Sequence, residues 1–364
     1  VMQYGVTDGT YYYGRATGTR QYNYIWDENQ DGIYDYYFGL DGKKVINYWY
    51  DSNNDGKYDY YFGNDGLAVD GVKEIDGKYY YFINRVMQYG VTDGTYYYGR
   101  FTGSRQYNYW WDVELDGKYD YYFRSDGLKV TGVQYIDGNY YYFAEDGKMQ
   151  YGVTDGTYYY GRATGTRQYN YIWDENQDGI YDYYFGSDGK MVKDYWYDSD
   201  GNGKYDYYFG NNGLAVDGVQ EIDENYYYFI NRVMQYGVTD GTYYYGRATG
   251  TRQYNYWWDQ DFDGKNDYYF GSNGIKVIGF QEIDSKHYYF DENGKMQYGV
   301  FRTLDGKTYY YGRATGTRQY GWIFLNGNAY YFELDTGVMV TGNKTIDGVN
   351  YVFNDDGTLR DGFV

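Results

Sequence analysis

The phrase Met-Gln-Tyr-Gly-Val occurs five times, starting at Met2, Met87, Met149, Met234 and Met296, with spacings of 85, 62, 85 and 62 residues. A chain that repeats at fixed periods folds as stacked units, each burying against its neighbours the surface it cannot bury alone. A long and a short block make a 147-residue super-repeat. The long block carries one extra unit of 23 residues, for which Tyr48 to Asp70 is a fair choice, matched by Tyr195 to Asp217. The blocks run 1–85, 86–147, 148–232, 233–294 and 295–364 along one continuous domain. Val1-Met2-Gln3-Tyr4-Gly5 already lies inside a repeat, so the chain reads as part of a longer secreted protein with any export signal upstream.

Within a block the unit is about 21 residues and reads strand, turn, strand, then a Gly-containing loop. One example is Gln3-Tyr4-Gly5-Val6, Thr7-Asp8-Gly9, Thr10-Tyr11-Tyr12-Tyr13; another is Val72 to Ile75, Asp76-Gly77, Lys78 to Phe82. Asp-Gly between β-prone runs is a strong hairpin signal, because Gly accepts the positive φ of a tight turn. About seventeen such units fit the chain. A lone hairpin is marginal in water, so each must stack its aromatic face on the next. Tyr supplies 65 of 364 residues and Pro none, which favours pleated strands with uninterrupted ladders. The expected fold is all-β, an elongated β-solenoid of stacked β-hairpin repeats.

A net charge of −20 excludes nucleic acid and anionic membrane surfaces as natural partners. No apolar run reaches the roughly 20 residues of a membrane helix, so membrane insertion is not expected. An acidic chain invites cations, and six hairpins carry an acidic loop of fixed pattern, the first being D-x-N-x-D-G-x-x-D. Positions 1, 3, 5 and 9 are Asp27, Asn29, Asp31 and Asp35; Asp51, Asn53, Asp55 and Asp59; Asp112, Glu114, Asp116 and Asp120; Asp174, Asn176, Asp178 and Asp182; Asp198, Asp200, Asn202 and Asp206; Asp259, Asp261, Asp263 and Asp267. Position 6 is always Gly.

Calcium takes six to eight hard oxygens, and alternate side chains plus a backbone carbonyl at position 7 can supply them. Those carbonyls belong to Ile33, Lys57, Lys118, Ile180, Lys204 and Lys265. Ordinary turns also favour Asp, Asn and Gly, but do not require four oxygens at fixed offsets six times over. Six Ca²⁺ would bring the formal charge from −20 to −8 and stiffen the solenoid. The pattern begins like an EF-hand, yet Phe38 stands where the bidentate Glu would be. It is more similar to the calcium loops set in hairpins of integrin-type propellers.

Thr341-Gly342-Asn343-Lys344-Thr345-Ile346-Asp347-Gly348 through Gly357, with Gly71 to Phe82 and Gly132 to Phe143, resembles the cell-wall and glucan-binding repeats of Gram-positive bacteria. That family includes choline-binding modules, clostridial toxin repeats and the glucan-binding domains of glucansucrases; the tyrosine-rich composition resembles alternansucrase-type repeats. Choline sites of the family use Trp-rich cages. Here eight of nine Trp lie within two residues of an acidic loop, and Trp322 lies in the equivalent hairpin, which favours packing.

The resemblance implies binding of polysaccharide, such as an α-glucan or cell-wall glycan, between successive hairpins on aromatic platforms with polar neighbours. The candidate is a five-fold Arg-Gln-Tyr: Arg20, Gln21 and Tyr22; Arg105, Gln106 and Tyr107; Arg167, Gln168 and Tyr169; Arg252, Gln253 and Tyr254; Arg318, Gln319 and Tyr320. Sugar rings would stack on Tyr while Gln and Arg donate to hydroxyls. The alternative is that Tyr is core and Arg neutralises carboxylates. The only His, His287, stands where other repeats have Tyr79, Tyr140 and Tyr226, and no Cys exists, so no catalytic role is read. A binding module, a calcium-stiffened stalk or adhesin repeat without sugar binding, and a choline or teichoic-acid anchor remain the readings, all secreted or at the cell surface.

Overall fold

Tyr-rich runs flanking two-residue turns give 37 short strands and no helix among the described residues. The computed structural model describes residues 2–362, with side chains through Arg360, so the outermost residues of the first and last blocks lie outside it. The strands form seventeen antiparallel sheets, fourteen of two strands and three of three. They divide into two compact units, one drawn from residues 1–171 and 185–191, the other from 172–184 and 192–364. Each unit is an all-β solenoid of stacked hairpins.

The hairpin Gly71–Ile75 with Lys78–Ile83 pairs Gly71 with Phe82 and Ile75 with Lys78, as the Asp-Gly signal requires. Asp76 and Gly77 both take positive φ, 51° and 74°, which matches the right-handed twist of the strands. The hairpin at the start of each of the first four blocks is shorter than its sequence suggests, whereas in the fifth Val300–Leu304 and Lys307–Tyr311 pair over five residues. Strands Val6–Thr7 and Tyr12–Tyr13 leave Asp8 to Tyr11 as turn, because Asp8 Oδ1 accepts the Thr10 and Tyr11 amides at 2.9 and 2.7 Å. A side chain that satisfies these amides removes them from the ladder.

Successive hairpins are tied by single backbone hydrogen bonds, such as Lys44 N to Thr10 O at 2.7 Å, Met87 N to Asp59 O at 2.8 Å and Arg105 N to Tyr79 O at 2.7 Å. Aromatic packing supplies the rest. Trp26, Trp111 and Trp258 are buried against Tyr12, Tyr97 and Tyr244 with ring centroids 4.6–4.8 Å apart. Trp49, Trp110, Trp196, Trp257 and Trp322 are half-buried on clusters such as Ile75, Phe82 and Met87. The Trp residues therefore pack, as their regular placement predicts. Each fully buried Phe or Met contributes about 1.5–3 kcal/mol, and most of that area exists only once two hairpins are in contact.

Candidate functional sites

The acidic loops close on themselves. Asp27 accepts the amides of Asp31 and Gly32 at 3.2 and 2.8 Å, and Asp31 Oδ1 accepts Ile33 N at 2.8 Å. Asp35 Oδ2 accepts the Glu28 amide at 2.7 Å, which draws position 9 back beside position 1. The other loops repeat the plan; Asp51 and Asp112 each take the position 6 amide at 2.9 Å, and Asp174, Asp198 and Asp259 take it at 2.8–3.0 Å. Backbone amides hold Asp31, Asp178 and Asp198 below the usual carboxylate range, chiefly through Ile33, Ile180 and Gly203. Position 4 also adopts positive φ, at Gln30, Asn54, Leu115, Gln177, Gly201 and Phe262. Only one of these is Gly, so the requirement was invisible in the residue types.

In two loops the carboxylates of positions 1, 3 and 9 converge. Ligand oxygens of Asp198, Asp200 and Asp206, and those of Asp259, Asp261 and Asp267, lie within 4.8 Å of one another. Loops with Asn29, Asn53 or Asn176 at position 3 have one carboxylate fewer there.

What faces position 9 divides the six loops into pairs. Asp35 and Asp182, both only 5% exposed, form ion pairs with Arg85 and Arg232. Lys148 and Lys295 stand 3.7 and 3.5 Å from Asp120 and Asp267. Asp59 and Asp206 accept instead from the backbone amide and hydroxyl of Ser52 and Ser199. Neither arginine is near its partner in sequence, so this division could not be read from the loops.

The repeated Met-Gln-Tyr-Gly-Val braces the loops from outside. The hydroxyls of Tyr89, Tyr151, Tyr236 and Tyr298 donate at 2.8 Å to the position 8 carbonyls of Tyr58, Tyr119, Tyr205 and Asn266. Burial pushes Tyr89, Tyr151 and Tyr298 up to about 12. Arg15 and Arg100 bind the carbonyls of positions 1 and 2 from the other side.

Arg-Gln-Tyr serves chiefly the seam between hairpins. Arg105 lies between the rings of Tyr79 and Tyr96, 4.2 and 3.5 Å from their centroids. Arg167 and Arg252 are clamped likewise, while Arg20 lies over Tyr11 and Arg318 over Tyr309. Arg318 donates its backbone amide to His287 O, so the lone His occupies the place of the second clamping Tyr. The Nε2 groups of Gln21, Gln106, Gln168, Gln253 and Gln319 donate at 2.7–2.9 Å to carbonyls two residues back. Tyr22, Tyr107, Tyr169, Tyr254 and Tyr320 cover Gly42, Gly127, Gly189, Gly274 and Gly337 with one face and expose the other. Of each triplet, the Tyr alone presents a free ring.

A second aromatic constellation escaped the sequence reading because its members come from three hairpins. Trp196, Lys204, Tyr205, Tyr227, Tyr236 and Thr249 line a groove of about 360 Å³. Trp196 stacks on Tyr205 at 5.3 Å and meets Tyr227 edge-on at 4.8 Å, and Lys204 Nζ lies 5.0 Å over Tyr236. The same contacts recur at Trp49 with Tyr58, Tyr80, Lys57 and Tyr89, and at Trp110 with Tyr119, Tyr141, Lys118 and Tyr151. At Trp257, Tyr288 and Lys265 with Tyr298 keep their places and Asn266 replaces the stacked Tyr.

Residues 277–318 match the choline-binding repeat family, and residues 133–149 and 321–339 match the cell wall binding repeat family. A glucosyltransferase-S of Streptococcus mutans serotype c is 31% identical over 188 residues, covering 49% of this chain. The chain spans only 11% of that enzyme's length. Among solved structures, CbpJ of Streptococcus pneumoniae is 27% identical over 69% of this chain and 94% of its own, with a TM-score of 0.39. An alternansucrase solved in complex with isomaltononaose is 24% identical over 69% of this chain and 18% of its own, with a TM-score of 0.21. On these matches, segments 133–149, 277–318 and 321–339 are similar to repeats of the choline-binding and cell wall binding type.

Proposed function

We propose that this chain is a non-catalytic module that binds polysaccharide of the α-glucan or cell-wall glycan class, at the cell surface or in the medium. The observation that carries the reading is the groove of Trp196, Tyr205, Tyr227, Tyr236, Lys204 and Thr249 between hairpins, whose Trp–Tyr and Lys–Tyr contacts recur at Trp49, Trp110 and Trp257. Its ring faces suit the C–H faces of pyranoses, and its ammonium and hydroxyl groups suit their hydroxyls. Repeated weak sites gain by avidity on a polymer and gain nothing on a monosaccharide. The exposed Tyr rings of Arg-Gln-Tyr add platforms; the Arg and Gln side chains already hold the fold. The matched repeat families and the glucosyltransferase relative support the same ligand class.

The test is retardation in native gels containing dextran or soluble cell-wall glycan. Replacing Lys57, Lys118, Lys204 and Lys265 together by Ala should weaken retardation at least tenfold without changing the circular dichroism spectrum. If no glycan retards the intact chain, the stalk reading replaces this one.

Calcium in the acidic loops belongs to the same proposal, but with unequal sites. The loop from Asp198 to Asp206 combines three converging carboxylates with no cation at position 9, and that from Asp51 to Asp59 also lacks the cation. These two should fill first. Lys148 and Lys295 are half-exposed and can swing away, so their loops follow. Arg85 and Arg232 stand in for a metal in the remaining two. Calorimetric titration should therefore resolve about two tight sites before weaker ones; six equal sites, or none, would contradict the order.

One observation favours a quaternary ammonium ligand at a single place. Trp322, Phe324, Ala329, Tyr351 and Leu359 line an apolar groove of about 310 Å³, and the first three lie in a matched segment. Here a two-residue turn replaces the acidic loop, so no Tyr stacks over Trp322 as Tyr58 does over Trp49. Retention on immobilised choline, lost in Trp322→Ala, tests it.

A further inference from the structure

One turn differs from its copies. It reads Gly-Arg-Ala-Thr-Gly at residues 14–18, 161–165, 246–250 and 312–316, but Gly-Arg-Phe-Thr-Gly at 99–103. Ala248 lines the groove of Trp196. The backbone that presents Phe101 is held in the same way: Gly103 and Gly250 have φ of 63° and 68°, and each packs on the Met and Tyr of a Met-Gln-Tyr-Gly-Val. Tyr89 Cε1 lies 3.0 Å from the position of a Gly103 Cβ, and Tyr236 Cε1 3.1 Å from that of Gly250. Lys57 Nζ donates to Arg100 O at 3.4 Å, as Lys204 Nζ does to Arg247 O at 3.1 Å. Phe101 therefore stands on the lip of the groove of Trp49, where the other three grooves carry the methyl groups of Ala163, Ala248 and Ala314.

Its side chain is 87% exposed, and among the described residues no aromatic ring stacks on it. Folding gains almost nothing from a ring in that position, whereas a ligand in the groove would meet a second apolar wall. The turn is also rigid on its far side, where Arg100 Nη2 donates to the carbonyls of Asp112 and Val113 at 2.9 and 2.8 Å. A platform fixed at both ends loses little freedom when it is covered.

We propose that Phe101 is a specificity-determining residue that makes the groove of Trp49 the strongest of the four, by stacking on a second face or a neighbouring residue of a bound glycan. The proposal rests on the polysaccharide reading above and deepens it. Stacking of this kind is worth about three- to tenfold in affinity.

The test uses the full chain with 4-fluorophenylalanine at position 101, titrated with isomaltoheptaose, beside dextran gels of Phe101→Ala, Phe101→Trp and Ala163→Phe. The ¹⁹F resonance should shift at the lowest saccharide concentrations that any site senses. Phe101→Ala should weaken dextran retardation by the stated factor, Phe101→Trp should preserve it, and Ala163→Phe should strengthen it. If dextran retards the native chain but Phe101→Ala migrates identically and the resonance does not move, the proposal is overturned while the polysaccharide reading stands. If Phe101→Ala instead dissolves a dimer and leaves retardation unchanged, the ring serves self-association and the proposal is likewise wrong. If nothing retards the native chain, the polysaccharide reading itself fails.

Discussion

Arg85 gives the sharpest test of how the acidic loops are held. Its guanidinium pairs with Asp35, reaches the Tyr34 carbonyl at 3.4 Å, and comes from 50 residues further along the chain. Replacing it by Ala leaves a carboxylate that is almost fully buried with only the Glu28 amide, at 2.7 Å, as partner. Breaking a buried ion pair costs about 3–5 kcal/mol. Arg85 is 24% exposed and Asp35 keeps one hydrogen bond, which lowers the figure to about 2–3 kcal/mol. Local opening of residues 27–35 should rise by the corresponding factor of about 30 to 150, because each 1.36 kcal/mol is tenfold. Hydrogen exchange of the Glu28 and Gly32 amides in chelator reads this directly. Millimolar calcium should then restore much of the protection in Arg85→Ala and little in the native chain. Unchanged exchange in the variant, or an equal effect on residues 51–59, would refute the reasoning.

Further outcomes follow from the same geometry. Tyr89, Tyr98, Tyr151, Tyr160, Tyr245 and Tyr298 are held at about 12 by burial, above the ordinary phenol value of 10.0. A raised folded value stabilises fully below pH 10 and is lost as pH climbs through 12, so melting should steepen there and absorbance at 295 nm should show two tyrosine populations. Asp31, Asp178 and Asp198 are depressed; their contribution is present above about pH 4 and disappears as pH falls below it, which exchange at the loop amides should report. Glu224 has φ of 63° at a turn position where most other repeats place Gly, as at Gly77 and Gly138, so Glu224→Gly should stabilise its hairpin by about 1 kcal/mol, seen as slower exchange there. Gly250→Ala should cost more than that, since its Cβ would meet Met234 and Tyr236 in a left-handed backbone.

Hairpins were legible because Asp-Gly between β-prone runs is a local signal, and Gly71 to Ile83 folds as its sequence reads. The starts of the first four blocks misled because Asp8, Asp93, Asp155 and Asp240 can serve the backbone in either of two ways and only the surrounding structure selects one. The loop positions were legible for the same reason as the hairpins. Arg85, Tyr89 and the grooves were not, since each depends on what the stacking of hairpins brings near. Arg105 shows the limit most clearly: its residue type fits a carboxylate or a sugar, and the fold gives it two tyrosine rings.

The single backbone bonds that join hairpins span short stretches of chain, from 26 residues between Tyr79 and Arg105 to 34 between Thr10 and Lys44. The next nearly identical copy of a repeated hairpin lies at least 62 residues further along the chain. A hairpin emerging from a ribosome or an export channel therefore meets its proper neighbour long before its double exists. Sequence identity that would invite mispairing in a chain refolding from denaturant is thus harmless when folding is vectorial. Refolding from urea should populate swapped registers that synthesis never visits.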